Sequence, residues 1–340
     1  MTIPVVLCLD VEPNRRQVSR RDPEPWTGYE VTQRYIEALR PRLAEVTGAP
    51  ARISWFLRMD PQVAEPYGSA TWTVDRYRGH LESVRALGDE LGIHPHAYRW
   101  HEDLGAWVHE FGDQAWVEHC LESSLEAFER SLGQTCRLLR FGDKWLNTAT
   151  VNHAERLGIR YDLTVEPGAP PLPSPEPDEP ATGPVPDYYR VPRAPYVPSP
   201  TEFRRPHRGP ARSIRMIPLT SGYRRLGLRP HRYLRRLVRN GWRHRLADTP
   251  LSMWSRWTAP DTFDRMLDRA LAAQRRPYLA FGIRSDIGAG PRTGERTKLA
   301  MEALLVHPAR ARFRFCTPAE ALAILDAPGD PAGDAPGEMR

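Results

Sequence analysis

The sequence has few cysteines and no long apolar run, and each shortage argues against a class of protein. Its 340 residues include four scattered cysteines with no CxxC pair: Cys8, Cys120, Cys136 and Cys316. This pattern argues against a disulfide framework and a thiolate metal site, so we expect buried thiols. No stretch approaches the ~20 apolar residues of a membrane helix, so we expect no transmembrane segment.

The first residues lack the features of a secretory signal peptide. MTIPVVLCLDVEPN has no basic leader and no small-residue cleavage site, and it leads directly into an apolar, strand-like run. We therefore expect a cytoplasmic protein.

Carboxylates are absent from one basic region. Residues 203–247 contain fourteen arginines and no Asp or Glu, and removing these charges from the net +6 leaves −8 for the rest. The run HRYLRRLVRNGWRHR (231–245) fits a solvated helix face, an anionic glycan or lipid-linked substrate, or nucleic acid. No RNA- or DNA-binding motif accompanies the arginines, so we expect no nucleic-acid partner.

Short apolar runs alternate with longer amphipathic stretches. Eight runs predict buried strands, at 4–10, 51–57, 90–96, 136–142, 158–164, 213–219, 277–283 and 311–317. Apolar residues at helical spacing predict helices at 28–46, 114–132, 148–157, 261–274 and 295–306, and Thr317-Pro318 predicts the start of another. This repeated order favours an α/β fold with a parallel sheet wound into a barrel.

A proline-rich segment, residues 166–200, interrupts this order. Proline removes backbone donors, so the segment cannot be the interior of a sheet or helix. Its three tyrosines are unlike a bare linker, which favours an ordered loop across a barrel mouth over a flexible interdomain linker. We assign 1–325 to one domain, including this loop and the Arg-rich segment 203–247, and 326–340 to a disordered tail.

Acidic and imidazole groups stand at the ends of two predicted strands. LDVEP places Asp10 and Glu12 two residues apart, and GIHPH does the same for His94 and His96, so each pair faces one side of its strand. Parallel barrel strands end at one rim, where we expect the four groups to meet. Two imidazoles and a carboxylate suit Zn²⁺ or another divalent first-row ion. The alternatives are an Asp-x-Glu turn cap and an incidental HxH.

Four motifs in order resemble the polysaccharide deacetylase family, the NodB-like carbohydrate esterases: LDVEP, ISWFLRMD, GDELGIHPHAYRW and LLRFGDKWLNTATVNHAERLGIRYDLTVEPG. The similarity covers residues 3–165 and resumes at SIRMIPLT, YLAFGIRSD and FRFCTPAEAL. It is greatest for a cytoplasmic branch associated with bacterial glycan gene clusters. The resemblance implies a distorted (β/α) barrel of about seven strands and metal-dependent N- or O-deacetylation of a sugar.

The resemblance also implies roles for individual residues. Asp10 matches the family's general base and Arg140 the arginine that orients it, while Glu12 and His94 match metal ligands. Trp145 would line the sugar site. Chemistry agrees with these roles, because a carboxylate beside a divalent ion can take a proton from an attacking water. An adjacent guanidinium would keep that carboxylate ionised.

The second metal histidine departs from the family pattern. The family places it four residues after the first, where this chain has Tyr98. His96 replaces it if the chain stays extended through Pro95, which proline permits. His101 is the candidate if the segment turns helical.

Arg284 is a second departure, since the family has a histidine here that protonates the leaving group. Arginine is a poor general acid but can stabilise an oxyanion, and we assign Arg284 that catalytic role. Asp286, His96 or His101 is left to supply the proton, and we also assign Asp286 to substrate binding.

The sequence thus predicts a metal-dependent hydrolase that deacetylates an N-acetylated or O-acetylated sugar or glycan, with Zn²⁺ as the expected ion. The two departures keep two alternatives open. One is a catalytically silent carbohydrate-binding barrel of the same fold, and the other is a metal-independent amide hydrolase. Trp26 is either an aromatic platform for sugar or a packing residue.

Overall fold

The computed structural model describes most of the chain. The described residues are 1–176, 178–223, 248–250, 260–285 and 290–327. Asp286, the basic run 231–245 and residues 328–340 of the expected tail lie outside them.

Strands and helices alternate along the described residues. The strands are β1 (Ile3–Val11), β2 (Ser54–Leu57), β3 (Glu90–Ile93), β4 (Tyr98–His101), β5 (Ala106–His109), β6 (Leu138–Leu139), β7 (Tyr161–Asp162), β8 (Arg215–Met216), β9 (Ser221–Tyr223), β10 (Asp248–Pro250), β11 (Leu279–Arg284) and β12 (Phe313–Phe315). The helices are α1 (Thr27–Thr47), α2 (Pro61–Tyr67), α3 (Trp72–Ala86), α4 (Gln114–Leu132), α5 (Thr148–Arg156), α6 (Pro260–Ala272), α7 (Pro291–Val306) and α8 (Pro318–Asp326).

Eight strands form one curled, parallel sheet. Its order is β11-β1-β2-β3-β6-β7-β8, and β12 pairs with the start of β1. Beyond β8, the Thr220 N–H donates to the Ala280 carbonyl of β11 at 2.9 Å, which links the two ends of this order. Each of the eight predicted strands is present, and the predicted distorted (β/α) barrel is confirmed.

The two faces of β1 bury different sets of side chains. Odd-numbered residues join the large core that the helices cover, whereas Val6 and Cys8 join a smaller cluster to which strands around the sheet and helix α8 contribute. Side chains alternate along a strand, so Asp10 and Glu12 continue the face of Val6 and Cys8. The side chains of Asp10 and Glu12 therefore lie where the apolar residues of that face end. All four cysteines are free and buried, as expected.

Helix ends follow local signals in the sequence. Asp113 caps α4 by accepting the Trp116 N–H at 3.1 Å, and Gly133 ends it with a left-handed φ of 64°. Thr317 and Glu320 form a capping box at the start of α8. The predicted helices are confirmed, while α2, α3 and the β4–β5 hairpin were not predicted. No helix among the described residues is long and apolar enough to cross a bilayer.

The proline-rich loop packs against the barrel. Tyr188 and Tyr196 are buried, and the Tyr188 hydroxyl donates to the Lys144 carbonyl at 2.6 Å. The Tyr196 N–H donates to the Met216 carbonyl of β8 at 3.0 Å. These contacts anchor the second half of the loop to the barrel.

Within the described part of the Arg-rich segment, several arginines pair with carboxylates from its flanks or other elements. The Arg212 guanidinium pairs with the Glu155 carboxylate of α5, and Arg204 Nη2 lies 2.7 Å from Glu202 Oε2. These ion pairs give Arg204 and Arg212 a structural role within the chain.

Candidate metal centre

The ends of β1 and β3 bring Glu12, His94 and His96 together, and all three are buried. Glu12 Oε2 lies 3.9 Å from His94 Nε2 and 3.8 Å from His96 Nε2, and the two imidazole nitrogens are 3.2 Å apart. The chain is not helical through Pro95, and both imidazoles lie on the same side. We call Glu12 Oε2, His94 Nε2 and His96 Nε2 the donor triangle.

The donor triangle fits a divalent cation. Donors 2.0–2.1 Å from a four-coordinate zinc lie roughly 3.3 Å apart, close to the spacings here. His94 Nδ1 is 2.5 Å from the Arg140 carbonyl, and His96 Nδ1 is 2.8 Å from Asp143 Oδ2. Because both partners are acceptors, each Nδ1 carries the hydrogen. The two Nε2 lone pairs therefore face each other, and a cation between them removes their repulsion.

Burial keeps both imidazoles in the form that binds metals. It lowers the pKa of His94, and burial together with Arg58 lowers the pKa of His96 well below its ordinary value. Both rings are therefore neutral at pH 7, as metal ligation requires.

Asp143 holds His96 from outside the donor triangle. Besides accepting from His96, its carboxylate pairs with Arg16 and lies 3.1 Å from His109 Nδ1. Burial alone would raise the pKa of Asp143, but Arg16 and the two histidines hold it well below its usual range. An ionised carboxylate here fixes the ring and raises its basicity. Asp143 was not predicted from the sequence, although it lies only four residues after β6, in RFGD.

Asp10 lies beside the donor triangle and is held by Arg140. Arg140 Nε donates to Asp10 Oδ1 at 2.7 Å, and its Nη1 donates to the Leu163 carbonyl at 2.9 Å. The other carboxylate oxygen, Oδ2, lies 3.9 Å from His94 Nε2. Asp10 thus has one oxygen fixed by a guanidinium and the other directed toward the donor triangle, an arrangement suited to accepting a proton.

Arg284 and His101 have contrasting positions. Arg284 ends β11 next to β1, and its Nε lies 3.3 Å from Glu12 Oε1. His101 lies on β4, where its Nε2 is 2.7 Å from Glu110 Oε1. The structure therefore brings Arg284 to the donor triangle and places His101 on the β4 strand, beside Glu110.

Two tryptophans considered for sugar binding lie in the core. Trp145 is buried and stacks on Phe111 with ring centroids 5.1 Å apart, and it is absent from the walls of the cavity. Trp26 is buried against Tyr67 and Trp72. Both side chains pack in the core, and the role of Trp145 in sugar binding stays a prediction.

A cavity of about 110 Å³ opens onto the donor triangle and Asp10. Arg16, Lys144 and Glu166 line its other side, and the proline-rich loop adds a wall of Leu172, Pro175 and Glu176. The space holds several waters or a small acyl group.

Gly142 allows the turn after β6 to approach His96. A Cβ atom at Gly142 would lie 2.2 Å from the His96 ring, and the Gly142 N–H donates to the Pro95 carbonyl at 2.8 Å, which holds the backbone there. We expect Gly142→Ala to displace the imidazole and weaken Zn²⁺ affinity roughly 10- to 100-fold, measured by chelator competition. Gly79→Ala, which meets no atom within 4 Å, is the control. Unchanged Zn²⁺ affinity in Gly142→Ala would contradict the close approach of Gly142 to the His96 ring.

Comparisons with known proteins show the fold. No family model and no curated protein matches the chain. A Parabacteroides distasonis structure, provisionally assigned as a glycoside hydrolase/deacetylase, is 11% identical over 92% of this chain and 69% of that one, with a TM-score of 0.53. PuuE allantoinase is 11% identical over 94% and 90% of the two chains (TM-score 0.49). A Mycobacterium smegmatis structure, provisionally assigned as a polysaccharide deacetylase, is 12% identical over 96% and 91% (TM-score 0.47). The likeness to the P. distasonis structure agrees with the fold expected from the resemblance to the NodB-like polysaccharide deacetylases.

Proposed function

We propose that this protein is a metal-dependent hydrolase that removes an acetyl group from an N-acetylated or O-acetylated sugar or glycan. The observation that carries the proposal is the buried donor triangle with Asp10 beside it in one small cavity. The sugar substrate is inferred from the sequence motifs shared with polysaccharide deacetylases, and Zn²⁺ from the carboxylate and imidazole donors.

The side chains of the cavity divide the work of hydrolysis. A divalent ion held by Glu12, His94 and His96 would polarise the acyl carbonyl and lower the pKa of water. Asp10 takes the proton of the attacking water through Oδ2, while the hydrogen bond from Arg140 fixes its carboxylate. Arg284 contributes positive charge toward the developing oxyanion.

Acetate release with and without metal tests this proposal. We expect protein loaded with Zn²⁺ to release acetate from N-acetylated or O-acetylated oligosaccharides. A chelator should abolish release, and added Zn²⁺ should restore it. Elemental analysis should find one ion per chain.

Two other outcomes would each replace the proposal. Hydrolysis that survives chelation in metal-free protein would favour a metal-independent amide hydrolase. Oligosaccharide binding without acetate release, in protein shown to hold the ion, would favour a silent carbohydrate-binding barrel. In that second case, Arg284 would be a residue that binds the oligosaccharide.

A further inference from the structure

The chain uses arginine almost everywhere that it needs a positive charge. Of its 48 basic residues, 46 are arginines and two are lysines, Lys144 and Lys298. Lys144 lines the cavity beside the donor triangle. A guanidinium stays protonated, whereas an ammonium can give up a proton, so a lysine at this position supplies chemistry that arginine cannot.

Hydrolysis of an amide or alkyl ester needs a proton for the leaving group. Most other titratable side chains of the cavity already have tasks: Glu12, His94 and His96 form the donor triangle, Asp10 accepts a proton, and Asp143 orients His96. Arg284 is a poor acid. Among the described lining residues, Lys144, Glu166 and Glu176 are left.

Lys144 is held more firmly than a surface lysine. Asp143 and Lys144 both have left-handed backbones, with φ of 58° and 60°, which residues other than glycine seldom adopt. Such a turn persists when its surroundings fix it. Here the Tyr188 hydroxyl donates to the Lys144 carbonyl at 2.6 Å, and the Trp145 N–H donates to the Gly142 carbonyl at 3.0 Å.

The side chain of Lys144 has a buried carboxylate as its partner. Lys144 Nζ lies 2.6 Å from Glu166 Oε2, and Glu166 is only 3% exposed beyond the end of β7. Glu176 is about half exposed, at 48%, and lies 3.7 Å from Arg16. Lys144, whose side chain is 35% exposed, is therefore tied to a buried carboxylate of the cavity, whereas Glu176 is more exposed and has no such buried anchor.

We propose that Lys144 donates the proton to the leaving group and that Glu166 positions its ammonium, an inference that rests on the proposed function. Asp10 takes a proton from water as the water oxygen bonds to the acyl carbon. The bond from that carbon to the leaving nitrogen or oxygen then breaks, and its electron pair takes a proton from Lys144 Nζ. Acetic acid and the free amine or alcohol result; Asp10 then releases its proton to solvent, and Lys144 regains one from solvent.

A leaving-group series tests this role without the natural sugar. The zinc-loaded protein is assayed on acetate esters from 4-nitrophenyl acetate, whose leaving group needs no proton, to alkyl acetates, whose leaving group does. We expect Lys144→Met to retain most activity on 4-nitrophenyl acetate and to lose roughly 10²–10⁴-fold in kcat/KM on alkyl acetates. Lys144→Arg should show the same loss, and Lys298→Met is the matched control.

The outcomes separate this role from the proposed function. An equal loss on all esters in Lys144→Met, or full alkyl acetate activity in Lys144→Arg, would overturn the donor role and leave the hydrolase proposal intact. Absence of zinc-dependent hydrolysis of every ester by the unaltered protein would overturn both. Activity on 4-nitrophenyl acetate also shows that a variant is folded.

Discussion

Replacing His96 with alanine is expected to leave the protein without bound zinc and without zinc-dependent hydrolysis. His96 Nε2 lies within 3.8 Å of both other donors, so its loss leaves two protein ligands. Changes to groups that merely orient ligands cost about 10- to 100-fold in affinity, so losing a ligand should cost more than about 100-fold. Zinc content by elemental analysis and acetate release measure the two effects.

The matched control is His101→Ala, since the sequence left these two histidines as alternatives. His101 pairs with Glu110 across the β4–β5 hairpin and does not line the cavity. We expect this variant to keep its zinc and its activity. The reverse result, zinc lost in His101→Ala and kept in His96→Ala, would show that the donor triangle is not the metal site.

The convergence of the four acid and imidazole groups could be predicted from the sequence because it depends on local rules. Strand residues two apart share a face, and parallel strands end at one rim. Asp10 with Glu12 and His94 with His96 continue the alternation of β1 and β3, with Glu12, His94 and His96 just past the strand ends, and β1 and β3, each paired with β2, obey the second rule. Alternation that continues past the strand ends was therefore enough to bring the pairs together.

The surroundings of the site could not be predicted in the same way. Asp143 contacts His96, Arg16 and His109, which come from three other segments of the chain. No spacing rule relates such distant positions, because loop packing decides which of them meet. Trp145 shows the same limit, since only the fold places it against Phe111 in the core.

Asp10→Asn is expected to lower acetate release by roughly 10²–10⁴-fold while the zinc content stays at one ion per chain. The amide oxygen of asparagine can still accept the hydrogen bond that Arg140 donates at 2.7 Å, so the fold should persist. An amide cannot take a proton from water, so the chemical step alone should suffer. The measurements are kcat, KM and zinc content on the same preparation.

Zinc content decides what Asp10 does, because its position allows two roles. Oδ2 lies 3.9 Å from His94 Nε2, near enough to the donor triangle for a fourth ligand as well as for a base. Loss of zinc together with activity in Asp10→Asn would make Asp10 a ligand and leave the base unassigned. Loss of kcat with zinc retained fits only the base. Asp113→Asn, at a helix cap where asparagine serves equally well, controls for the substitution itself.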